Sequence, residues 1–388
     1  MQIRRKLEKI IEQHLFKGIE KKRAIVIYGP RQVGKTTLVK RLLEKHQEKS
    51  AFYNCDYADV QEKFAYKNAG QFDKLVRGLK LLVLDEAQRI ENIGLVLKIL
   101  VDSYPELQVV ATGSSSFDLA NKISEPLTGR KIELQLYPLS VGELMAGKNE
   151  LEKTRLLLGL LRFGSYPVAV TSNEPDTEVY LKELVSSFLF KDVFSFQDLR
   201  KPELLIQLLR LLAFQVGQEV SYHELATQLK VDQLVIQRYL DLLEKSFVIF
   251  RLPAFSRNLR KEVARSRKIY FYDLGVRNTL IQNLNELKLR NDQGALWENF
   301  CLVERQKQMA YSLESANAYF WRTYDQKEID YIEESKGKLA AYEFKWQAGG
   351  KVKEPKDFLR AYPGSSFSVV TNENYEKFVY TGKPGIGR

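Results

Sequence analysis

Apolar residues recur with two different periods along this chain, and each period predicts a type of element. The N-terminal segment predicts an amphipathic helix, because its apolar residues follow the 3.6-residue spacing of one helix face: Ile3, Leu7, Ile10, Ile11 and Leu15. Short apolar runs follow at residues 24–28 and in "LKLLVLDEA" and "LQVVATGSSS". Runs of this length are typical of buried strands in a parallel sheet. The first third of the chain therefore predicts an α/β domain.

The pattern changes near residue 200. An apolar helix at residues 203–216 precedes a second helix that begins after Ser221, and a third helix follows the turn "KVD". Two strand-like segments come next, "SFVIFRL" and "KIYFYD". In the third helix we expect the inward-facing residues to be Leu234, Tyr239, Leu240 and Leu243. Three helices and a hairpin predict a winged helix.

The last segment has the order of a small α/β domain. A helix in "GALWENFCLVERQKQM" precedes the strand-like "AYFWRTY", "EIDYIEES" and "LAAYEFKWQ", and a further helix and the strand "SFSVVTN" follow. Period-2 alternation predicts that Glu343 and Lys345 lie on one face of their strand and that Tyr342 and Phe344 lie on the other. The predicted order is α-β-β-β-α-β.

Length and composition place this chain among multidomain globular proteins. The 388 residues are 44% hydrophobic, enough for several cores. No apolar run approaches the roughly 18 residues of a membrane span, and the N-terminus lacks the apolar stretch of a signal peptide. The two cysteines lie far apart in sequence, which does not favour a disulfide or a zinc site. We expect a cytoplasmic protein without a membrane segment.

The net charge of +11 is unevenly placed. Residues 1–50 hold 14 Lys or Arg against 5 Asp or Glu, and residues 251–300 hold 10 against 5, whereas residues 101–250 hold 15 against 20. Two basic segments that flank an acidic one favour a polyanion partner, of which nucleic acid is the leading candidate. Either basic segment alone would be typical of a solvated surface.

A phosphate-binding loop is the most specific motif in the chain. The stretch "GPRQVGKTT" fits G-x-x-x-x-G-K-[ST] between a predicted strand and a predicted helix, so its backbone N–H groups can surround phosphates. We expect Lys35 to bind the β- and γ-phosphates and the Thr36 hydroxyl to bind Mg²⁺. The predicted nucleotide-binding residues of the loop are Gly29, Pro30, Arg31, Gln32, Val33, Gly34, Lys35, Thr36 and Thr37.

Two acidic residues end the strand "LLVLDE". An Asp in this place completes the Mg²⁺ site, so Asp85 is predicted to act with Thr36. Glu86 is placed to polarise an attacking water, which indicates ATP hydrolysis rather than phosphoryl transfer to a metabolite. The end of the next strand should lie beside the phosphate-binding strand, so Ser114 or Ser115 could contact the γ-phosphate. A simple Ser- and Gly-rich turn remains the alternative there.

The order of motifs resembles that of bacterial and archaeal AAA-type ATPases that carry a C-terminal domain of restriction-endonuclease-like fold. The shared stretches are "GPRQVGKTT", "LDEAQ", "TGSSS", "LTGRKIELQLYPLSVGEL", "FGSYP", "KIYFYDLGVRN" and "GALWENF". The resemblance covers nearly the whole chain. It implies a parallel sheet of the P-loop class with a helical lid, then a winged helix, then an α/β restriction-endonuclease-like domain. The predicted bounds are 1–139 for the ATPase core, 140–199 for the lid, 200–272 for the winged helix and 273–388 for the last domain.

The resemblance also implies a role for Arg130, and the sequence itself favours phosphate contacts for Arg162 and for the basic wing. Arg130 precedes the fifth strand, where AAA-type enzymes place an arginine that reaches a neighbouring subunit's nucleotide, and surface charge is the alternative. Arg162 of the lid could contact phosphate. The wing between the two strands is rich in cations that favour phosphate contact: Arg257, Arg260, Lys261, Arg265, Arg267 and Lys268. A winged helix that only contacts proteins is the alternative.

Restriction-endonuclease-like enzymes hold a divalent metal ion between an Asp and an E-x-K motif. Here Asp330, Glu343 and Lys345 match that motif, with Glu298 on the preceding helix, and Ile329 replaces the usual proline. The three carboxylates are predicted metal ligands for Mg²⁺ or Mn²⁺, and Lys345 would favour deprotonation of the attacking water. A nuclease relative that does not cut is the alternative.

These patterns together predict an oligomeric, Mg²⁺-dependent ATPase that acts on DNA, with branched or recombination-type DNA as one possible substrate. The alternative is a nucleotide-dependent switch or scaffold whose nuclease-like domain is inactive.

Overall fold

The computed structural model describes residues 3–15, 23–46, 49–65, 69–113, 127–188, 202–257, 266–349 and 352–380. The chain forms two compact units, one of Met1–Leu139 with Lys245–Phe247, and one of Ser140–Glu244 with Val248–Arg388. Ser114, Ser115, Arg260, Lys261 and Arg265 lie outside the described residues. No helix among the described residues is long and apolar enough to cross a membrane.

The first unit is a parallel sheet with helices. Its helices are α1 (Lys6–Leu15), α2 (Lys35–Lys45), α3 (Ala58–Phe64), α4 (Asp73–Val76) and α5 (Ile93–Ser103). Its strands are β1 (Ala24–Tyr28), β2 (Ser50–Asn54), β3 (Leu81–Asp85), β4 (Gln108–Gly113) and β5 (Lys131–Gln135). The strand order is β2-β3-β4-β1-β5, and every neighbouring pair is parallel. The predicted α/β sheet is therefore confirmed, including the position of β4 beside β1.

The central strands are short apolar runs because both of their faces are covered. Every residue of β1, β3 and β4 is buried. The predicted N-terminal helix is present, and it buries Leu7, Ile10, Ile11 and Leu15. Parallel strands end at one edge of a sheet, so Thr36 after β1, Asp85 at the end of β3 and Thr112 near the end of β4 are brought together there.

The second unit begins with helices and a two-stranded sheet. Its described helices up to residue 245 are α6 (Val141–Leu144), α7 (Glu150–Phe163), α8 (Pro167–Thr171), α9 (Glu174–Phe188), α10 (Pro202–Phe214), α11 (Tyr222–Leu229) and α12 (Gln233–Lys245). Strands β6 (Ile249–Pro253) and β7 (Arg267–Phe271) then pair antiparallel. Helices α10 to α12 and these strands have the order that the sequence predicts.

One predicted inward residue of α12 is wrong. The buried residues of this helix are Ile236, Tyr239, Leu240 and Leu243, whereas Leu234 is 68% exposed. Leu234 lies two positions before Ile236, about 200° around a helix of 3.6 residues per turn. It therefore lies on the opposite side from the buried face.

The remainder of the second unit contains a four-stranded sheet. Its helices are α13 (Leu274–Leu280), α14 (Gln293–Ser312), α15 (Lys356–Ala361) and α16 (Tyr375–Tyr380). Its strands are β8 (Asn317–Arg322), β9 (Glu328–Ser335), β10 (Lys338–Phe344) and β11 (Ser366–Val370), in the order β11-β10-β9-β8. Strands β8, β9 and β10 are antiparallel neighbours, and β11 is parallel to β10. From α14 to β11 the order is the predicted α-β-β-β-α-β.

The "FGSYP" and "YDLGVRN" stretches pack on each other. The N–H of Ser165 donates to Asp273 (2.7 Å), and the amide of Asn278 donates to the carbonyls of Leu161 (3.0 Å) and Arg162 (2.9 Å). A Cβ at Gly275 would lie 2.1 Å from the carbonyl oxygen of Phe163, so only glycine fits there. These stretches form a buried joint between α7 and α13, which indicates a structural role.

Candidate functional site

The phosphate loop joins β1 to α2. Gly34 precedes α2 with φ 95°, a left-handed conformation that favours glycine. A Cβ at Gly29 would lie 2.1 Å from the carbonyl oxygen of Leu136. The two motif glycines are therefore required by the turn into the helix and by the close approach of the segment after β5.

Lys35 and Thr36 are aimed at the same end of the sheet. The buried Lys35 ammonium donates to the carbonyl oxygens of Gly29 and Pro30, both at 2.9 Å. The Thr36 hydroxyl donates to Asp85 Oδ2 at 2.7 Å. A hydroxyl and a carboxylate in contact are oxygen ligands suited to Mg²⁺. The structure therefore brings the predicted Mg²⁺ residues of the first unit together.

Thr112 contacts the candidate site, and the sequence analysis did not single it out. Its hydroxyl donates to Asp85 Oδ1 and accepts from the backbone N–H of Glu86 (3.2 Å). Thr112 is completely buried and lies near the end of β4. The available signal was its polar character directly after the apolar run Val109–Ala111, and its place near the predicted Ser114 and Ser115 in sequence. Thr112 thus binds Asp85, the last residue of β3, and the backbone of Glu86, which follows it.

Glu86 has an uncommon backbone conformation. Its φ is 53°, in the left-handed region that non-glycine residues seldom occupy. The amide of Gln88 donates to its carboxylate at 2.6 Å. Such conformations cluster at functional sites because the surrounding contacts hold them. Thr112 and Gln88 are the contacts that hold Glu86 here.

Arg5 connects the N-terminal segment to the phosphate loop. Its guanidinium donates to the carbonyls of Val33 (2.6 Å) and Tyr137 (2.5 Å). Helix α1 is held to α2 by Lys45, which binds Glu8 and Glu12 at 2.5 Å each. No local pattern predicts this contact, because 28 residues separate Arg5 from Val33.

Two predicted arginines make local ion pairs. Arg130 precedes β5 as expected, and its Nε donates to Asp102 of α5 at 2.7 Å, with both side chains 42% exposed. Arg162 binds Glu174 at 2.8 Å and donates to the carbonyl of Leu284. These contacts with Glu174 and Leu284 hold Arg162 within the second unit and indicate a structural role.

The nuclease-like residues occupy neighbouring elements of the second unit. Glu298 lies on α14, Asp330 on β9 and Glu343 at the end of β10, which Lys345 follows. Lys345 Nζ binds Glu343 Oε1 at 2.8 Å, and the N–H of Phe344 donates to Asp330 Oδ2 at 2.8 Å. Glu343 is partly buried and Lys345 exposed, whereas Tyr342 and Phe344 are buried against Phe378. The structure thus brings all four residues to one region.

Lys268 belongs to this acidic cluster and not to the wing surface. Its side chain is 3% exposed, and its ammonium lies 3.2 Å from Glu298 and 2.5 Å from Glu328. The Tyr270 hydroxyl also donates to Glu298. The expectation that Lys268 binds DNA is therefore wrong, because β7 is buried on both sides and the lysine is enclosed. Sequence reasoning missed Glu328 and Tyr270 as members of the cluster.

Burial and neighbouring charges shift the acidity of this cluster. Burial raises the pKa of Asp330 to about 7, and the charges of Glu298 and Glu343 add to the rise. Burial also raises the pKa of Glu298, although Lys268 opposes this. For Lys268, burial acts to lower the pKa, but the charges of Glu298, Glu328 and Asp330 outweigh it and raise the pKa.

The cluster does not have the arrangement of a metal centre. Within the described residues, no group of three or more His, Cys, Asp or Glu side chains is placed to hold a metal ion. Lys268 and Lys345 bind Glu298 and Glu343 directly. The predicted metal ligands Glu298, Asp330 and Glu343 therefore do not fit Mg²⁺ or Mn²⁺ in this arrangement, because ammonium groups already contact two of the three carboxylates.

The described cations of the wing lie at its two ends. Arg257 is exposed and binds Glu334. Arg267 is partly buried, and its guanidinium donates to the carbonyl of Ser266 at 3.0 Å. Of the six predicted DNA-binding cations, only Arg257, Arg267 and Lys268 are described, and Lys268 is enclosed.

Both cysteines are buried free thiols.

Three family matches cover most of the chain. An AAA domain matches residues 21–145, and two domains of unknown function match residues 154–288 and 293–383. Solved structures with similar chains include the ORC1 protein of Aeropyrum pernix in complex with DNA, at 15% identity over 71% of this chain and 90% of that chain, with a TM-score of 0.33. The RuvB Holliday junction branch migration motor of Thermotoga maritima is 18% identical over 65% of this chain and 90% of that chain, with a TM-score of 0.32. Both scores are too low to establish a common fold over these lengths.

Curated relatives match nearly the whole chain. A protein of Haemophilus influenzae, described as uncharacterized, is 25% identical over 378 residues, 92% of this chain and 88% of its own length. Uncharacterized proteins of Mycobacterium tuberculosis and Mycobacterium bovis are each 30% identical over 335 residues, 85% of this chain and 72% of theirs. The chain therefore belongs to the same family as these mycobacterial proteins, and its first unit carries an AAA-type ATPase domain.

Proposed function

We propose that this chain is a Mg²⁺-dependent ATPase that uses nucleotide hydrolysis to act on DNA. The observation that carries the proposal is the contact set around Asp85, in which Thr36, Thr112 and the backbone of Glu86 converge. Lys35 would exchange its carbonyl contacts for the β- and γ-phosphates. Bound Mg²⁺ would neutralise phosphate charge. Glu86 would orient the attacking water.

The proposed oligomer rests on Arg130. Its exposed guanidinium would leave Asp102 and reach the nucleotide of a neighbouring subunit, where it would stabilise charge that develops on the γ-phosphate. Mixing inactive Lys35→Ala and Arg130→Ala chains tests this. Each Arg130→Ala chain retains an intact phosphate loop that an arginine from a Lys35→Ala neighbour can complete, so the mixture should regain turnover. Turnover no higher than that of either variant alone would contradict action between subunits.

The proposed DNA contact rests on the wing and the basic segment at residues 251–300. We expect that reversing the charge of Arg260, Lys261 and Arg265 together, by substitution with Glu, weakens DNA binding. Each lost phosphate contact should reduce the slope of log affinity against log salt concentration by about one unit. Reversal of three exposed cations elsewhere in the second unit, Arg155, Lys336 and Lys353, is the matched control. Equal salt slopes for the two triple variants would remove the wing from the proposal.

The test of the whole proposal is steady-state ATP turnover with and without duplex, single-stranded, forked and four-way DNA. Branched or recombination-type DNA is the substrate class we expect to stimulate turnover most. A Lys35→Ala chain is the control for contaminating hydrolysis. Turnover that no DNA form changes would contradict a DNA-acting ATPase.

A second candidate is a nucleotide-dependent switch or scaffold whose nuclease-like domain does not cut. The ion pairs of Lys268 with Glu298 and Glu328 favour it over a nuclease at Asp330, Glu343 and Lys345. The order α-β-β-β-α-β favours the nuclease. Cleavage of the same DNA panel with Mg²⁺ or Mn²⁺ separates them, because a nuclease should lose cleavage in Asp330→Asn and a switch should show none in the wild type.

A further inference from the structure

The acidic cluster of the second unit contains its own cation. We propose that the Lys268 ammonium occupies the place of a divalent metal ion among Glu298, Glu328 and Asp330, so that the cluster is an ion-pair joint between the two-stranded and four-stranded sheets. The cluster then takes up Mn²⁺ or Mg²⁺ only when the ammonium is removed. This inference does not depend on action on DNA.

Lys268 forms ion pairs with the carboxylates nearest to it. Its ammonium lies within ion-pair distance of Glu298 and Glu328, and a lysine ammonium has three donors for such contacts. Tyr270, two residues further along β7, donates a second hydrogen bond to Glu298. Period-2 alternation places these two side chains on the same face of the strand. One strand therefore supplies two donors to one carboxylate.

The other carboxylates of the cluster have partners as well. Asp330 accepts the N–H of Phe344, and Glu343 binds Lys345. A Mg²⁺ or Mn²⁺ ion would need about six oxygen ligands in a compact shell. It would have to displace these donors while lying next to the positive charge of Lys268. Removal of one ammonium therefore changes the cation preference of the site.

The backbone of β7 fixes Lys268 in this place. One edge of β7 pairs with β6, and along the other edge the N–H of Val220 donates to the carbonyl of Arg267 (2.9 Å). The backbone of Glu219 forms an isolated antiparallel β-bridge with that of Lys268. The Glu219 carboxylate binds Arg322, whose guanidinium lies 3.9 Å from Glu328. The ammonium also lies 5.4 Å from the centre of the Phe320 ring. A strand held on both edges cannot withdraw the lysine by a local loop movement.

The test compares Mn²⁺ binding to nucleotide-free full-length chains by titration calorimetry and Mn²⁺ electron paramagnetic resonance. Lys268→Met removes the charge and retains the apolar stem, and Lys338→Met, at an exposed position of β10, is the matched control. Asp330→Asn is added to each chain. Mn²⁺ binding that this substitution removes belongs to the cluster, and binding that it leaves belongs to Thr36 and Asp85. We expect Lys268→Met to bind Mn²⁺ about tenfold or more tightly than the wild type, and this gain should disappear in Lys268→Met/Asp330→Asn.

Two results would overturn the proposal. One is Mn²⁺ binding in the wild type that Asp330→Asn removes, because the cluster would then accept metal beside Lys268. The other is a folded Lys268→Met chain that binds Mn²⁺ no better than Lys338→Met. If Lys268→Met folds only when Mn²⁺ is added, the metal has replaced the ammonium and the proposal is supported. If it does not fold in either condition, the comparison of the wild type with Asp330→Asn decides, and equal Mn²⁺ binding by these two chains supports the proposal.

Discussion

Thr112→Val tests whether the hydroxyl near the end of β4 holds Asp85 and Glu86 in place. Valine retains the shape of threonine and removes Oγ1, so Asp85 loses one hydrogen bond and the N–H of Glu86 loses its acceptor. Asp85 is 2% exposed and Thr112 is fully buried, so water cannot replace the hydroxyl. Loss of a hydrogen bond to a charged group costs about 1.5–3 kcal/mol. We expect the free energy of unfolding of the first unit to fall by roughly that amount.

The effect on turnover follows from the position of Glu86. Each 1.4 kcal/mol of lost transition-state stabilisation lowers the rate about tenfold. Because the lost hydrogen bond positions Glu86 for the hydrolysis step, its free energy should be lost from the stabilisation of the transition state. ATP turnover should then fall about 10- to 100-fold. The ATP dissociation constant should change by less than about threefold, because Lys35 and the loop are unaltered. Thr112→Ser keeps the hydroxyl and should stay within about threefold of the wild type in both quantities.

The measurement must report on the first unit. All three tryptophans, Trp297, Trp321 and Trp346, lie in the second unit, so tryptophan fluorescence would follow the wrong unit. Hydrogen exchange of β3 and β4 gives the local stability, and a fluorescent ATP analogue gives the affinity. Turnover within about twofold of the wild type in Thr112→Val would show that this hydroxyl does not position Glu86 for hydrolysis.

Three further predictions concern Lys35, Glu86 and Asp330. Lys35→Ala should abolish nucleotide binding or hydrolysis, since it removes the main charge partner of the phosphates, and retained affinity in a binding titration would contradict the assigned role. Glu86→Gln should still bind ATP but hydrolyse it at least about tenfold more slowly, and single-turnover rates equal to the wild type would exclude Glu86 as the water-orienting group. Burial raises the pKa of Asp330 to about 7 from 3.8, so the folded state binds this proton more tightly than the unfolded state. The ionisation of Asp330 should therefore lower the free energy of unfolding of the wild type as the pH rises from about 4 to 8. Urea unfolding should therefore show Asp330→Asn gaining stability relative to the wild type over this range, by about 4 kcal/mol at most, whereas parallel pH curves would show that Asp330 is not shifted.

Local sequence determined the elements and the phosphate loop. Strand β1, the glycines of the loop and the helix α2 are contiguous, so their periodicity and turn chemistry are readable from residues 24–45 alone. The same holds for the order α-β-β-β-α-β, because each strand carries its own alternation. Asp85 was identified for the same reason, as a carboxylate at the end of an apolar run.

The packing of elements that lie far apart in sequence determines which side chains meet. Thr112 lies 27 residues from Asp85, and Arg5 lies 132 residues from Tyr137, so no local pattern indicates either contact. Lys268 belongs by sequence to a basic run, and its charge alone predicted a phosphate contact. The pairing of β7 on both edges, and the packing of α14 and β9 beside it, enclosed that charge among carboxylates. Periodicity specifies which face of an element is apolar, but the partner of a charged side chain depends on which distant elements pack around it.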